Sequence, residues 1–278
     1  MGVGGRRSVT IALVALSSAA LAGCGAGAPL LHPARALPLG EIRAAGGLSG
    51  QIAVGSAAED LRDAREQSAS RAQPQGDPGT NPSYAKGALV AAAMGPGLAP
   101  YFSGRVGIGG GGEGGITYTG RSARLDLRKA FDDGAWSYSV GAGVTVPFYG
   151  RHQGGTLSNV NLDNLRGYGA DIPLLVGWES SGGIYKIWAG PRAGWEHVSI
   201  ENLTSERKDG PPNTSGKALS ADRFYAGAVL GLAVGFRHVH VALELSGAYN
   251  HINGQYNDNN VTVTGVALTP SSALWWTF

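Results

Sequence analysis

Trp136-Ser137-Tyr138-Ser139-Val140-Gly141-Ala142-Gly143-Val144-Thr145-Val146-Pro147-Phe148 is the stretch that decides the fold. Trp136, Tyr138, Val140, Ala142, Val144, Val146 and Phe148 stand on one parity, and Ser137, Ser139, Gly141, Gly143 and Thr145 on the other. A period of two is that of a β-strand with unlike faces. Aromatic residues close the apolar face at both ends, as expected where one face meets lipid, because amphipathic rings favour the headgroup level at each rim.

The same parity recurs along the chain. Ile172, Leu174, Val176 and Trp178 form one such face, and Tyr185, Ile187, Ala189, Ala193 and Trp195 another. Phe224, Ala226, Ala228, Leu230, Leu232, Val234 and Phe236 follow, then Val239, Val241, Leu243, Leu245 and Tyr249. The links between strands alternate in length: 251–261, 199–221 and 150–167 read as loops, while 236–238, 180–183 and 132–134 read as turns. Membrane barrels sort their links in this way, with short periplasmic turns and longer outer loops, whereas a β-sandwich has no reason to.

Composition agrees. Of 278 residues, 46 are Gly and only 15% are charged, and no apolar run is long enough for a membrane helix. The net charge of +2 argues against a nucleic-acid partner. The expected fold is all-β, an antiparallel up-and-down transmembrane β-barrel.

Both ends of the chain carry short motifs. Arg6 and Arg7 precede the apolar stretch from Val9 to Leu16, the build of an export signal. Leu21-Ala22-Gly23-Cys24 resembles the lipobox of bacterial lipoproteins, which implies a signal peptide over 1–23 and lipidation of Cys24, the only cysteine. In the last strand, Val266, Leu268, Leu274, Trp276 and Phe278 share one face. Leu274, Trp276 and Phe278 resemble the C-terminal assembly signal of outer-membrane barrels, which implies insertion by the barrel-assembly machinery into the bacterial outer membrane.

Residues 101–278 account for eight strands. Two further segments are candidates: Leu48–Val54, and residues 84–94 after the Pro-rich stretch Gln73–Pro82. Single-chain bacterial barrels normally take an even number, so both join or neither does, and ten is preferred to eight. The domain reading is then a leader over 24–45, a first hairpin over 46–100 with a flexible loop over 57–83, and the barrel over 101–278. The charged block Glu59–Glu66 can make a short helix with too little apolar surface for a core.

Charged residues fall mostly on the inward parity: Arg105, Arg124, Arg128, Lys186 and Arg192 against Asp126, Asp171, Glu196 and Glu244. A narrow barrel is filled by side chains, and unpaired buried charge is costly, so an ion-pair network is expected in the lumen. One departure is Arg121, which has lipid-face parity with Ala123, Leu125 and Leu127; it must snorkel near the outer rim, or the register breaks there.

Three further patterns bear on chemistry. His238 and His240 could ligate a metal with Glu244, but the spacing is that of ordinary lumen hydrogen-bonders and no metal or cofactor is expected. Gly107–Gly112 matches a dinucleotide fingerprint only on paper, since residues 116–128 continue as a strand rather than a helix. His197-Val198-Ser199, with Glu201 after it, resembles the His, Ser and Glu set of outer-membrane lipid A deacylases, and alternation aims both side chains at lipid.

The expected function is structural, or interaction with a surface partner through long outer loops, with outer-membrane lipids as surroundings. A small-solute channel and a lipid A-modifying hydrolase are the alternatives.

Overall fold

The structure is a computed structural model that describes residues 28–70, 82–148, 157, 162–200, 219–257 and 259–278. Cys24 and the export signal lie outside the described residues, as do 201–218 and most of 149–161. Ten antiparallel strands close into one barrel: β1 Ile42–Val54, β2 Gly97–Gly109, β3 Gly112–Tyr118, β4 Ser122–Asp133, β5 Trp136–Pro147, β6 Arg166–Glu179, β7 Tyr185–Ile200, β8 Leu219–Phe236, β9 Val239–Tyr256 and β10 Asn259–Thr277. Each strand pairs with its sequence neighbour, and β1 seals the ring by pairing with β10 through Ala44↔Trp276 to Ser49↔Ser271. Closure removes every sheet edge, which is what allows strands to cross a bilayer.

The period-two faces are realised as lipid and lumen faces. Leu125, Val144, Ile172, Leu230, Leu243 and Leu274 are exposed on the outer wall. Ser137 and Ser139 on the other face of β5 are buried. One aromatic ring of this belt holds Trp136, Tyr185, Phe236 and Trp276; the other holds Tyr168, Trp195, Phe224 and Tyr249. From Tyr185 to Trp195, at about 3.3 Å per residue and a tilt of about 40°, the belt is roughly 25 Å tall, the apolar thickness such barrels present.

Ten strands are present, but not by the route the alternation suggests. The segment 116–128 is broken at 119–121 into β3 and β4, which supplies one extra strand, and β1 supplies the other. Residues 84–94 are not a strand. They form helix α2, Pro82–Leu89, running into a π-helical turn, Val90–Met94, and nearly all of their side chains are buried inside the barrel. An Ala-rich segment with no alternation favours helix, and one that is apolar all round must be enclosed. The charged block extends to helix α1, Ser56–Ser70, and does join a core: Ala57, Leu61 and Ala64 pack with Tyr84, Ala85, Ala88 and Leu89. The two helices cross closely because Gly87 has no side chain; a Cβ there would lie 2.2 Å from that of Ala64.

The leader is likewise structural. β1 begins at Ile42, not at 46, and residues 30–34 enter the barrel at the end opposite the helices. Leu30, Leu31 and Ala34 pack with Tyr101, Trp188, Val229 and Trp275. Gly231 makes room, since a Cβ there would fall 2.0 Å from the Trp188 ring. The links are also rearranged. β9 and β10 pair out to Tyr256↔Asn259, so 251–261 is a long hairpin rather than a loop. It and the 119–121 link put short connections at the outer end, where only loops were expected.

Candidate functional site

The lumen between the two plugs is lined by charge. Arg105, Arg124, Asp126, Arg128, Asp171 and Glu244 are all buried. Arg124 grips Asp171 with two N–H groups, Nε to Oδ1 at 2.8 Å and Nη2 to Oδ2 at 3.1 Å, and reaches Asp126 through Nη1 at 2.6 Å. Arg192 donates to the second oxygen of Asp171 at 2.8 Å, and Arg105 to Asp126 at 2.5 Å. Glu113, which the alternation did not single out, is the hub of the rest. It pairs with Arg105 and accepts from Arg128 Nη2 at 2.6 Å. Its signal was hidden because it stands among the glycines of 107–115; only recognition of β3 as a strand gives it inward parity with Thr117.

Arg105, Arg124, Arg128 and Arg192 face three carboxylates, Glu113, Asp126 and Asp171, so the arginines have donors to spare. The plug uses them. Arg128 donates to the carbonyls of Pro33, Ala34 and Arg35, and Arg192 to that of Ala28. Glu113 in turn accepts the Leu37 N–H at 2.8 Å. Among the described residues Glu244 makes no ion pair; it accepts the N–H groups of Leu30 and Leu31 and the Trp188 indole at 3.0 Å. The network therefore anchors the entering chain as much as it neutralises itself. His32 sits within it, its Nδ1 3.0 Å from Arg128 Nη1. Burial, then Arg105, Arg128 and Arg124, push its imidazole well below the ordinary histidine range.

Lys186 and Glu196 stand apart from this cluster. Lys186 pairs with Glu179 and Glu196 with Arg223; Glu179 and Arg223 were not singled out by parity. Arg121 resolves as a register break: it lies buried in the 119–121 link, 3.7 Å from Glu196, with its guanidinium on the Ala92 carbonyl that ends the helical plug. His240 faces inward but bonds the Gly183 carbonyl at 2.9 Å, and His238 lies in the turn on the Thr277 carbonyl at 2.9 Å. Among the described residues no group of three or more His, Cys, Asp or Glu side chains is placed to hold a metal.

On the outer wall, a different group assembles just beyond the Tyr168, Trp195 and Phe224 ring. His197 of β7 stands opposite Asp222 of β8 in register, and its Nδ1 lies 3.0 Å from Asp222 Oδ1. The Trp195 indole donates to the same oxygen at 3.2 Å, and the Tyr168 ring packs against the imidazole at 5.4 Å between centroids. Ser199, one step along the same face, is flanked by Arg166 of β6 and Ser220 of β8. The carboxylate beside His197 is thus Asp222; Glu201 lies outside the described residues. No spacing rule could find Asp222, because the β7 to β8 register sets it there.

No protein-family model matches the sequence, and no curated protein matches it. Among solved structures, overlaps are found with Ail, the attachment invasion locus protein of Yersinia pestis, at 9% identity over 86% of this chain and 99% of that one, with a TM-score of 0.30. Neisserial surface protein A overlaps at 10% identity over 86% and 96%, with a TM-score of 0.32. Outer membrane phospholipase A from Escherichia coli overlaps at 10% identity over 84% and 95%, with a TM-score of 0.27. Overlaps of this extent define neither a family nor an activity.

Proposed function

We propose that this chain is an outer-membrane barrel that works at its outer surface, in a structural or interaction role, rather than by conducting solutes. The observation that carries the reading is the filling of the lumen. The helical plug packs against Val198, Ile200, Leu219, Ile252 and Tyr256 in one half, and the Leu30 to Ala34 segment against Trp188 and Trp275 in the other. A channel needs a continuous polar path, and two apolar cores in series interrupt it. The apolar belt with its two aromatic rings supports residence in a bilayer, and export to the outer membrane is the destination the Cys24 and Phe278 motifs imply. A lipid on Cys24 would tether the entering segment to the inner leaflet.

The test has two parts. Folded protein should run faster on gels before heating than after it, and should leave a planar bilayer at its baseline conductance. Steady conducting steps from heat-modifiable protein would overturn the non-conducting reading. Crosslinking in cells from residues 199 to 221 is expected to capture the surface partner, and fatty-acid labelling lost in Cys24→Ala checks the lipid anchor.

A further inference from the structure

We infer that Ser199, His197 and Asp222 form an acyl-ester hydrolysing centre on the outer wall, acting on lipids of the leaflet beside it. The inference rests on the membrane placement proposed above and adds an activity to it. His197 and Asp222 face away from the lumen, opposite each other across β7 and β8, with the imidazole held by the carboxylate at 3.0 Å. Such a contact fixes Nδ1 as the protonated nitrogen and leaves Nε2 to act as a base. Ser199 lies two residues farther along the same face, about 6.6 Å away at Cα by the rise of a strand, within reach of Nε2. A hydrogen bond from Ser199 Oγ to His197 Nε2 is the one that must form when substrate binds.

The height of the group selects the substrate. Trp195 and Phe224, the belt residues next to His197 and Asp222, mark the headgroup level, where the ester carbonyls of a lipid lie while its acyl chains run down the apolar wall. This is the rim opposite the one at which β1 begins and β10 ends. Arg166 stands exposed and directly opposite Ser199 in the β6 to β7 register, a cation beside the point where an oxyanion would develop. An aspartate, a histidine and a serine brought to one face at a lipid interface have a simpler use in hydrolysis than as a strand end entering water.

The chemistry balances as follows. Ser199 Oγ attacks the ester carbonyl carbon and passes its proton to His197 Nε2, giving a tetrahedral oxyanion. Collapse breaks the carbon to alkoxy-oxygen bond; the departing alcohol takes the proton from Nε2, and the acyl group remains on Ser199. Water, deprotonated by Nε2, attacks the acyl carbonyl, and the serine leaves with that proton. Ester and water become fatty acid and alcohol. Asp222 exchanges no proton in either step and is a positioning residue, whereas Ser199 and His197 are catalytic.

The full chain, refolded in detergent and checked by its heat-dependent gel shift, is mixed with dioleoyl-phosphatidylglycerol vesicles or with lipid A micelles, and freed fatty acid is measured by mass spectrometry. Release from either lipid is expected and identifies the source, together with fluorophosphonate labelling on the Ser199 peptide. Ser199→Ala and His197→Ala should lower the rate at least about 1000-fold with the gel shift intact. Asp222→Asn should lower kcat about 100-fold with KM within about twofold, a split that loosening of the strand pair would not give. Ser220→Ala should stay within about twofold. Heat-modifiable wild-type protein that frees no fatty acid from either lipid overturns the inference, as does full activity in Ser199→Ala or equal loss in Ser220→Ala. Absence of the gel shift overturns the membrane placement itself, and the inference with it.

Discussion

The carboxylate of Glu244, on the inner wall of β9, accepts the backbone N–H of Leu31 at 2.7 Å across a sequence separation of 213 residues. With the matching bond from Leu30 at 2.8 Å and the Trp188 indole, one buried side chain holds the entering segment to the far wall. An intramolecular hydrogen bond contributes about 0.5–1.5 kcal/mol, and each donor left buried without a partner costs about 1–3 kcal/mol. Glu244→Ala is expected to lower stability by about 3–5 kcal/mol, read as a lower urea midpoint in detergent with the gel shift preserved. The same variant should expose residues 28–38 to protease first, because their release leaves the barrel wall closed.

Gly231 and Trp188 make a sharper test of the packing. A Cβ at 231 would stand 2.0 Å from the Trp188 ring, and that ring is enclosed by the plug and by Trp275, 5.7 Å away between centroids. Gly231→Ala must therefore displace a ring that has nowhere to go. Overpacking of this kind costs about 1–3 kcal/mol or more. The expected outcome is a lower thermal midpoint and a tryptophan emission shifted to the red as Trp188 meets water.

His32 gives the barrel a dependence on pH. Its folded-state affinity for protons is depressed, so between the depressed value and the unfolded value near 6.5 the unfolded chain binds the additional proton. The stabilisation is complete above about pH 6.5 and is lost as pH falls through that value toward the folded one, with a slope of at most about 1.4 kcal/mol per pH unit. Urea midpoints measured from pH 7.5 down to 5 should fall in the wild type. In His32→Gln the decline over this window should flatten; an unchanged slope would assign it to other groups.

How much of this was legible in the sequence varies by element. β5, β7, β8 and β9 announce themselves because lipid and lumen impose opposite demands on alternate side chains, and that demand is written residue by residue. The inward parity of Arg105, Arg124, Asp126, Arg128 and Asp171 is legible for the same reason. Their partners are not: Arg124 meets Asp171 and Arg128 meets Glu113 across strand registers that pattern alone does not supply. The break at Arg121 hid β3, since Arg121 shares parity with Ala123 and Leu125 while turning inward to Glu196 and the Ala92 carbonyl.

By itself, the sequence determined that strands would close into a lipid-facing barrel, because period two between an apolar and a polar medium has no other stable arrangement over so many segments. Only the tertiary structure decided what fills it. The segments 30–34 and 84–94 carry no period-two signal, since nearly all of their side chains are enclosed by the inner wall rather than set between two unlike media. Their helical and extended forms follow from the space, carbonyl acceptors and arginine donors that the closed wall presents. Asp222 beside His197 belongs to the same class: the histidine and serine stand close in the chain, but the carboxylate is brought to them by the register of two strands.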